Sequence, residues 1–169
     1  SIFKMNYLVT GGSGYLGSAL IKYLENKSEN VLNFDILEDK KNNYYKGNIL
    51  NYNDIYTATK NIDIVIHNLA MVPITKSKKD FFKVNLLGTE NLLKSAKKNN
   101  IKKIIFISSS AVYGIPKKVP ILEDDTRSPI EGYGLSKKKA EDLCFEYMKS
   151  GLDITIIRPR TILGEKRLG

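Results

Sequence analysis

The chain has 169 residues, 42% of them hydrophobic, a formal net charge of +9 and one cysteine, Cys144. That length holds one domain with its own core rather than two. No apolar run reaches the ~20 residues of a membrane span, no charged-then-apolar leader opens the chain and one cysteine forms no internal disulfide, so a cytoplasmic protein is expected.

The positive excess is nearly all lysine, in pairs such as Lys78-Lys79, Lys97-Lys98, Lys102-Lys103 and Lys117-Lys118. Arginine occurs only at 127, 158, 160 and 167. A compositional lean towards Lys, Asn and Ile explains this charge more simply than nucleic acid, which is not the expected partner. The field would still attract anionic nucleotides.

Met5 to Thr10 is a short apolar run that ends in glycines, the pattern of a buried parallel strand. Leu16, Ala19, Leu20, Tyr23 and Leu24 then recur at helical spacing. Strands are expected at Val31 to Asp35, Tyr44 to Asn48, Ile62 to His67, Lys103 to Ser108 and Asp153 to Arg158. Helices are expected near Tyr52 to Thr59, over about Asp80 to Lys98 and over about Tyr133 to Lys149. The middle one would turn Phe81, Asn85, Gly88, Leu92 and Ala96 to one face; the last would turn Ala140, Leu143, Cys144 and Tyr147 inward. Pro116, Pro120, Pro129 and an acidic run make Ile115 to Glu131 an irregular surface loop. Alternating strands and helices predict an α/β domain over residues 1–169, a doubly wound parallel sheet of the Rossmann type.

Thr10-Gly11-Gly12-Ser13-Gly14-Tyr15-Leu16-Gly17 lies between the first strand and the first helix. Glycine there lets the backbone turn sharply and approach a pyrophosphate, whose charge rests on the helix N-terminus. Asp35 ends the second strand about 20 residues on, where a carboxylate accepts from the adenosine ribose hydroxyls. The order strand, glycines, helix, strand, acid predicts a dinucleotide. An acid repels the extra phosphate of NADP, so NAD is favoured, although Lys40 and Lys41 nearby would admit a phosphate.

Tyr133 and Lys137 stand four residues apart, on one helical face. A phenol near pKa 10 is a poor base at neutral pH. A neighbouring ammonium and an oxidised nicotinamide are expected to lower that pKa, so that Tyr133 exchanges a proton with a substrate hydroxyl. His67, the one histidine, is read as a packed strand-end residue rather than a catalyst. No metal site is expected.

Several ordered motifs carry a family resemblance. They are Thr10-Gly11-x-x-Gly14-x-x-Gly17, His67-Asn68-Leu69-Ala70, Val84-Asn85-x-x-Gly88-Thr89 and Ser108-Ser109-Ser110-Ala111-Val112-Tyr113-Gly114. The Tyr133/Lys137 pair and Arg158-Pro159 complete the set. Together they resemble the extended short-chain dehydrogenases/reductases of the NAD-dependent epimerase/dehydratase family, over the whole chain. The resemblance implies that Ser109 hydrogen-bonds the reacting oxygen, with Ser110 the alternative. It implies cofactor contacts at Gly11, Gly14, Tyr15, Leu16, Gly17, Asp35, Asn48, Ile49, Leu69, Ala70, Asn85, Tyr133, Lys137 and Pro159. Asn48 stands where the family has Asp beside the adenine, and Asn85 also has a reading as a support for the active-site backbone.

The family's dehydratases carry Asp-Glu where this chain has Ser110 and Ala111, so dehydration is disfavoured. Reversible oxidation of a secondary alcohol is left, most simply in a sugar-nucleotide epimerase. A ketone or aldehyde reductase is the alternative, and an NAD(P)-sensing or RNA-binding module a more distant one. Relatives continue into a smaller substrate-gripping domain, so this chain is expected to be the cofactor half, able to hold cofactor but inactive alone. Ser1 to Lys4 are expected to include vector or leader residues. A nucleotide sugar as substrate and a homodimer through the helices at 80–98 and 133–149 complete the expectations.

Overall fold

The structure, a computed structural model, describes residues 4–38, 43–71 and 78–164, with 78–81 as backbone only. Ser1 to Phe3, Lys40, Lys41 and Arg167 lie outside the described residues, as do the side chains of Lys78, Lys79 and Phe81. In chain order the elements are β1 (Asn6–Thr10), α1 (Tyr15–Asn26), β2 (Asn30–Asp35), β3 (Tyr44–Lys46) and α2 (Tyr52–Ala58). Then follow β4 (Ile64–His67), α3 (Lys78–Lys98), β5 (Lys103–Ile107), α4 (Gly132–Lys149) and β6 (Ile154–Ile157).

The strands form one sheet in the order β3-β2-β1-β4-β5-β6, and every neighbouring pair is parallel. This is the expected doubly wound fold. Chain order reverses between β1 and β4, so a crevice opens beyond the carboxyl ends of those two strands.

Alternation along the strands builds two cores. Leu8, Val65, Ile104 and Phe106 point to one face, where Leu92, Leu93 and Ala96 of α3 and Ala140 and Cys144 of α4 cover them. Val9, Val31 and Ile66 point to the other, against Leu24, Leu20 and Ile21 of α1. Strands buried on both sides need continuous apolar runs, which is why these segments read as such in the sequence.

β3 is shorter than the Tyr44 to Asn48 reading. Asn48 leaves the strand because its backbone N–H donates to the Asp54 carboxylate and its Oδ1 accepts from Leu50 N, a local turn that competes with the ladder. A single 3-10 turn at Ser110–Tyr113 breaks the segment after β5, a feature no periodicity in the sequence announced. Among the described residues no helix is long and apolar enough to cross a membrane.

His67 is packed as expected, 2% exposed at the end of β4. Its Nδ1 lies 2.7 Å from Thr10 Oγ1 and its Nε2 lies 3.0 Å from Thr89 Oγ1. The Thr89 hydroxyl donates to Asn85 O, which assigns the ring proton to Nε2 and leaves Nδ1 to accept from Thr10. Burial, with the nearby Lys137 charge, pushes the ring pKa down to about 3, so the folded chain keeps it neutral.

This has a measurable consequence. The unfolded chain protonates His67 below about pH 6.5, whereas the folded chain does not until about pH 3. Its contribution is therefore complete above pH 6.5 and declines by about 1.4 kcal/mol per unit as the pH falls towards 3. Urea denaturation of the wild type and His67→Gln from pH 7 to 4 should show the steeper loss in the wild type alone; parallel curves would refute the assignment.

Candidate active site

A cavity of about 690 Å³ opens at the switch point. Gly11, Gly14, Tyr15 and Leu16 line it from the β1–α1 turn, Asn68, Leu69 and Ala70 from the end of β4. Ile107, Ser108 and Ser109 line it after β5, Tyr133 and Lys137 from α4, and Pro159, Arg160 and Ile162 after β6.

The β1–α1 turn is shaped by what glycine permits. Gly11 has φ +68°, in the left-handed region, and a Cβ there would come within 2.8 Å of Leu69 Cα. At Gly17 a Cβ would meet Gly11 O at 2.2 Å, so glycine lets α1 lie directly on the turn. Gly14 begins α1 with no side-chain cap and no acid follows in its first turn, so the positive end of the helix is turned to the cavity. Asp35, at the end of β2, accepts from Ser13 N at 3.1 Å and Leu37 N at 3.0 Å. Each oxygen accepts from one donor, and the carboxylate keeps further lone pairs. These residues fit a dinucleotide: a side-chain-free turn, a helix N-terminus and an acid tied to the same turn.

Ser109 and not Ser110 faces this cavity. Ser109 is extended, at φ −158°, and its Oγ caps the following 3-10 turn by accepting from Ala111 N. Ser110 instead donates its backbone N–H to Pro159 O. At the start of α4 the Glu131 carboxylate accepts from Tyr133 N at 2.6 Å and Gly134 N at 2.7 Å, which fixes the turn that carries Tyr133. One turn on, Lys137 is 2% exposed and donates from Nζ to Ile107 O at 2.8 Å.

The electrostatics depart from expectation. The Tyr133 phenol lies above its ordinary pKa because burial outweighs the opposing effect of the Ser109 hydroxyl, and the Glu131 charge adds to the rise. The depression expected from Lys137 is not found in the chain by itself; the ammonium is directed to Ile107 O. Burial also pushes Lys137 down, to about 8, less so because Cys144 and Glu141 oppose it.

Other expected residues lie outside the cavity. Ile49 is a core side chain packed on Gly88, and exposed Asn48 holds its own turn. Asn85 does not line the cavity either. Its Oδ1 accepts from Met71 N, and its Nδ2 donates to Met71 O and Ser136 Oγ, so its buried amide is spent on supporting backbone and α4. Its alternative reading as a support is the one the geometry shows. Gly17 and Asp35 belong to the glycine turn and its support and do not line the cavity.

Sequence reasoning missed Arg160 and Ile162, which only the path of the chain after β6 brings over the cavity. It also missed Glu141, although its position four residues after Lys137 placed an acid on a buried face. Among the described residues no cluster of three His, Cys, Asp or Glu side chains could hold a metal.

Comparison with known proteins agrees with this geometry. Residues 7–168 match the NAD dependent epimerase/dehydratase family. The chain belongs to that family. It is 34% identical over 176 residues to a UDP-glucose 4-epimerase of Lactobacillus helveticus, a match that covers 95% of this chain and 52% of the relative. It is 41% identical over 167 residues to a protein of Sinorhizobium fredii of uncharacterised activity, covering 96% of this chain and 42% of that one. Among solved structures, a short-chain dehydrogenase/reductase superfamily protein from Agrobacterium tumefaciens with bound NAD superposes with a TM-score of 0.87 at 28% identity. That superposition covers 90% of this chain and 48% of the other. A Brucella ovis UDP-glucose 4-epimerase in complex with NAD gives 0.83 at 29% identity, covering 91% and 51%. The family member described here thus spans about half the length of these relatives.

Proposed function

We propose that this chain binds NAD across the β1–α1 turn, and that the whole protein interconverts a nucleotide sugar and its epimer by reversible oxidation of a secondary alcohol. One observation carries the reading: Ser109, Tyr133 and Lys137 share a single cavity with the glycine turn. The relatives support it, since UDP-glucose 4-epimerases recur among them and solved ones hold NAD or UDP-glucose. Ser110 and Ala111 offer no carboxyl group to expel a hydroxyl, which favours epimerisation over dehydration.

Bound in its oxidised form, NAD supplies a hydride acceptor and a positive charge. In this reading the turn and the N-terminus of α1 hold the pyrophosphate, and Asp35 accepts from the adenosine ribose. Lys137, anchored on Ile107 O, keeps two further donors for the cofactor's other ribose. Ser109 donates to the substrate oxygen while Tyr133 takes and returns its proton. The raised Tyr133 pKa makes it an acid in the chain alone, and the cofactor's positive charge favours the phenolate when a base is required. We also propose a homodimer through α3 and α4, which pack side by side.

Calorimetric titration should show NAD binding to this chain, and Asp35→Ala should weaken NAD more than NADP, because the carboxylate favours only NAD. Equal losses would remove Asp35 from the ribose site. In the whole protein, Tyr133→Phe should lower turnover by about 10²–10⁴-fold, the scale of a lost general acid–base, with NAD affinity nearly intact. Wild-type turnover in that variant would sink the mechanism. Light scattering at tens of micromolar is expected to give the mass of a dimer, and a monomer would refute the proposed pairing.

A further inference from the structure

Glu141 is fully buried, one turn beyond Lys137 on the same face of α4. Its Oε1 accepts from Ser108 Oγ at 2.5 Å and from Arg158 Nε at 2.9 Å. Its Oε2 accepts from Arg127 Nη1 and Arg158 Nη2, both at 2.9 Å. Those four donors fill the lone-pair sites of the carboxylate. Arg158 donates further to the Tyr113 hydroxyl at 2.6 Å and to Glu123 O at 2.8 Å, and Arg127 to the Asp142 carboxylate at 2.7 Å. One carboxylate therefore joins the segment after β5, the proline-rich loop, α4 and the segment after β6.

Without those arginines, a buried carboxylate would pair with the nearest buried ammonium, and an acid four residues from a lysine on a helix is within reach of it. Lys137 does not make that pair. Its ammonium donates to Ile107 O and stands 5.0 Å from the centre of the Phe106 ring. The ionisable groups bearing on it are Glu141 and Cys144 of α4 itself and His67 of β4, with Tyr133 one turn earlier. At this point β5 presents Phe106 and a carbonyl, and α3 presents the amide of Asn85, bonded to Ser136. His67 is neutral and Cys144 is a buried thiol whose pKa burial pushes up to about 12, so the anion that matters is Glu141.

We propose that Arg127 and Arg158 clamp Glu141 away from Lys137, leaving the ammonium directed to Ile107 O and the cavity, while Glu141, through Ser108, fixes the strand end that carries Ser109. Arg127, Glu141 and Arg158 are in this view positioning residues. The inference rests on Lys137 and Ser109 being the working groups of the site.

The test reads the lysine directly. With ¹³C at lysine Cε, the Lys137 signal is assigned by its loss in Lys137→Met and followed with pH in the cofactor-free chain. Arg158→Met should raise its titration midpoint by about one pH unit as Glu141 turns to the ammonium. The double variant Glu141→Gln/Arg158→Met should return it to the wild-type value or below. Arg127→Met, nearer the surface, should give a smaller rise and keeps the test decisive if Arg158→Met does not fold. Lower melting temperatures with unmoved midpoints in both arginine variants would overturn the clamp. NAD titrations of the same proteins separate the two readings. A wild type that fails to bind NAD would defeat the cofactor proposal, while the midpoints would still decide the clamp.

Discussion

A carboxylate taken out of water must be met by donors on every side, and Glu141 on α4 is met by donors from three other segments of the chain. Removing a partner from such a group typically costs 3–5 kcal/mol, because a charge is then left in a medium that cannot solvate it. The segments after β5 and β6, the proline-rich loop and α4 are consequently held in one arrangement. Each of them but the loop also lines the cavity. The position of the cavity wall is thus a result of charge satisfaction as much as of apolar packing.

The opposite wall is held by neutral hydrogen bonds. Leu69 N donates to Thr10 Oγ1, Thr10 to His67, His67 to Thr89, and Thr89 to Asn85 O. Asn85 then reaches Met71 and Ser136, which joins this chain of bonds to the first turn of α4. The two bonds of the ring, from Thr10 and to Thr89, need His67 neutral with its proton on Nε2, and burial keeps it neutral. The glycine turn lies against this wall, with Gly11 under Leu69 so closely that no side chain would fit between them. Two rigid supports of different chemistry therefore face each other across the cavity.

Between them the two ionisable groups of the site are shifted against their charges, the phenol up and the ammonium down, chiefly by burial. A site in this condition is poised to respond to charge brought in by a ligand. That is a physical reason for a Tyr and a Lys in this spacing to work with a cationic cofactor rather than alone.

Much of this was legible in the sequence because it depends on local pattern. Apolar runs located most of the strands, the first of them ending in glycines, helical spacing located α1, α3 and α4, and the glycine spacing followed by Asp35 marked the turn that approaches a ligand. Tyr133 and Lys137 could be paired because four residues make one helical turn. What the sequence could not supply were relations between distant segments. Nothing in the order of residues shows that Arg127 and Arg158 converge on Glu141, that Asn85 spends its amide on Met71 and Ser136, or that Arg160 and Ile162 return over the cavity. Nor does spacing tell a phenol's pKa, which the expectation placed low and burial places high. Periodicity records which face of an element is dry; only the folded chain decides which charges and donors meet there.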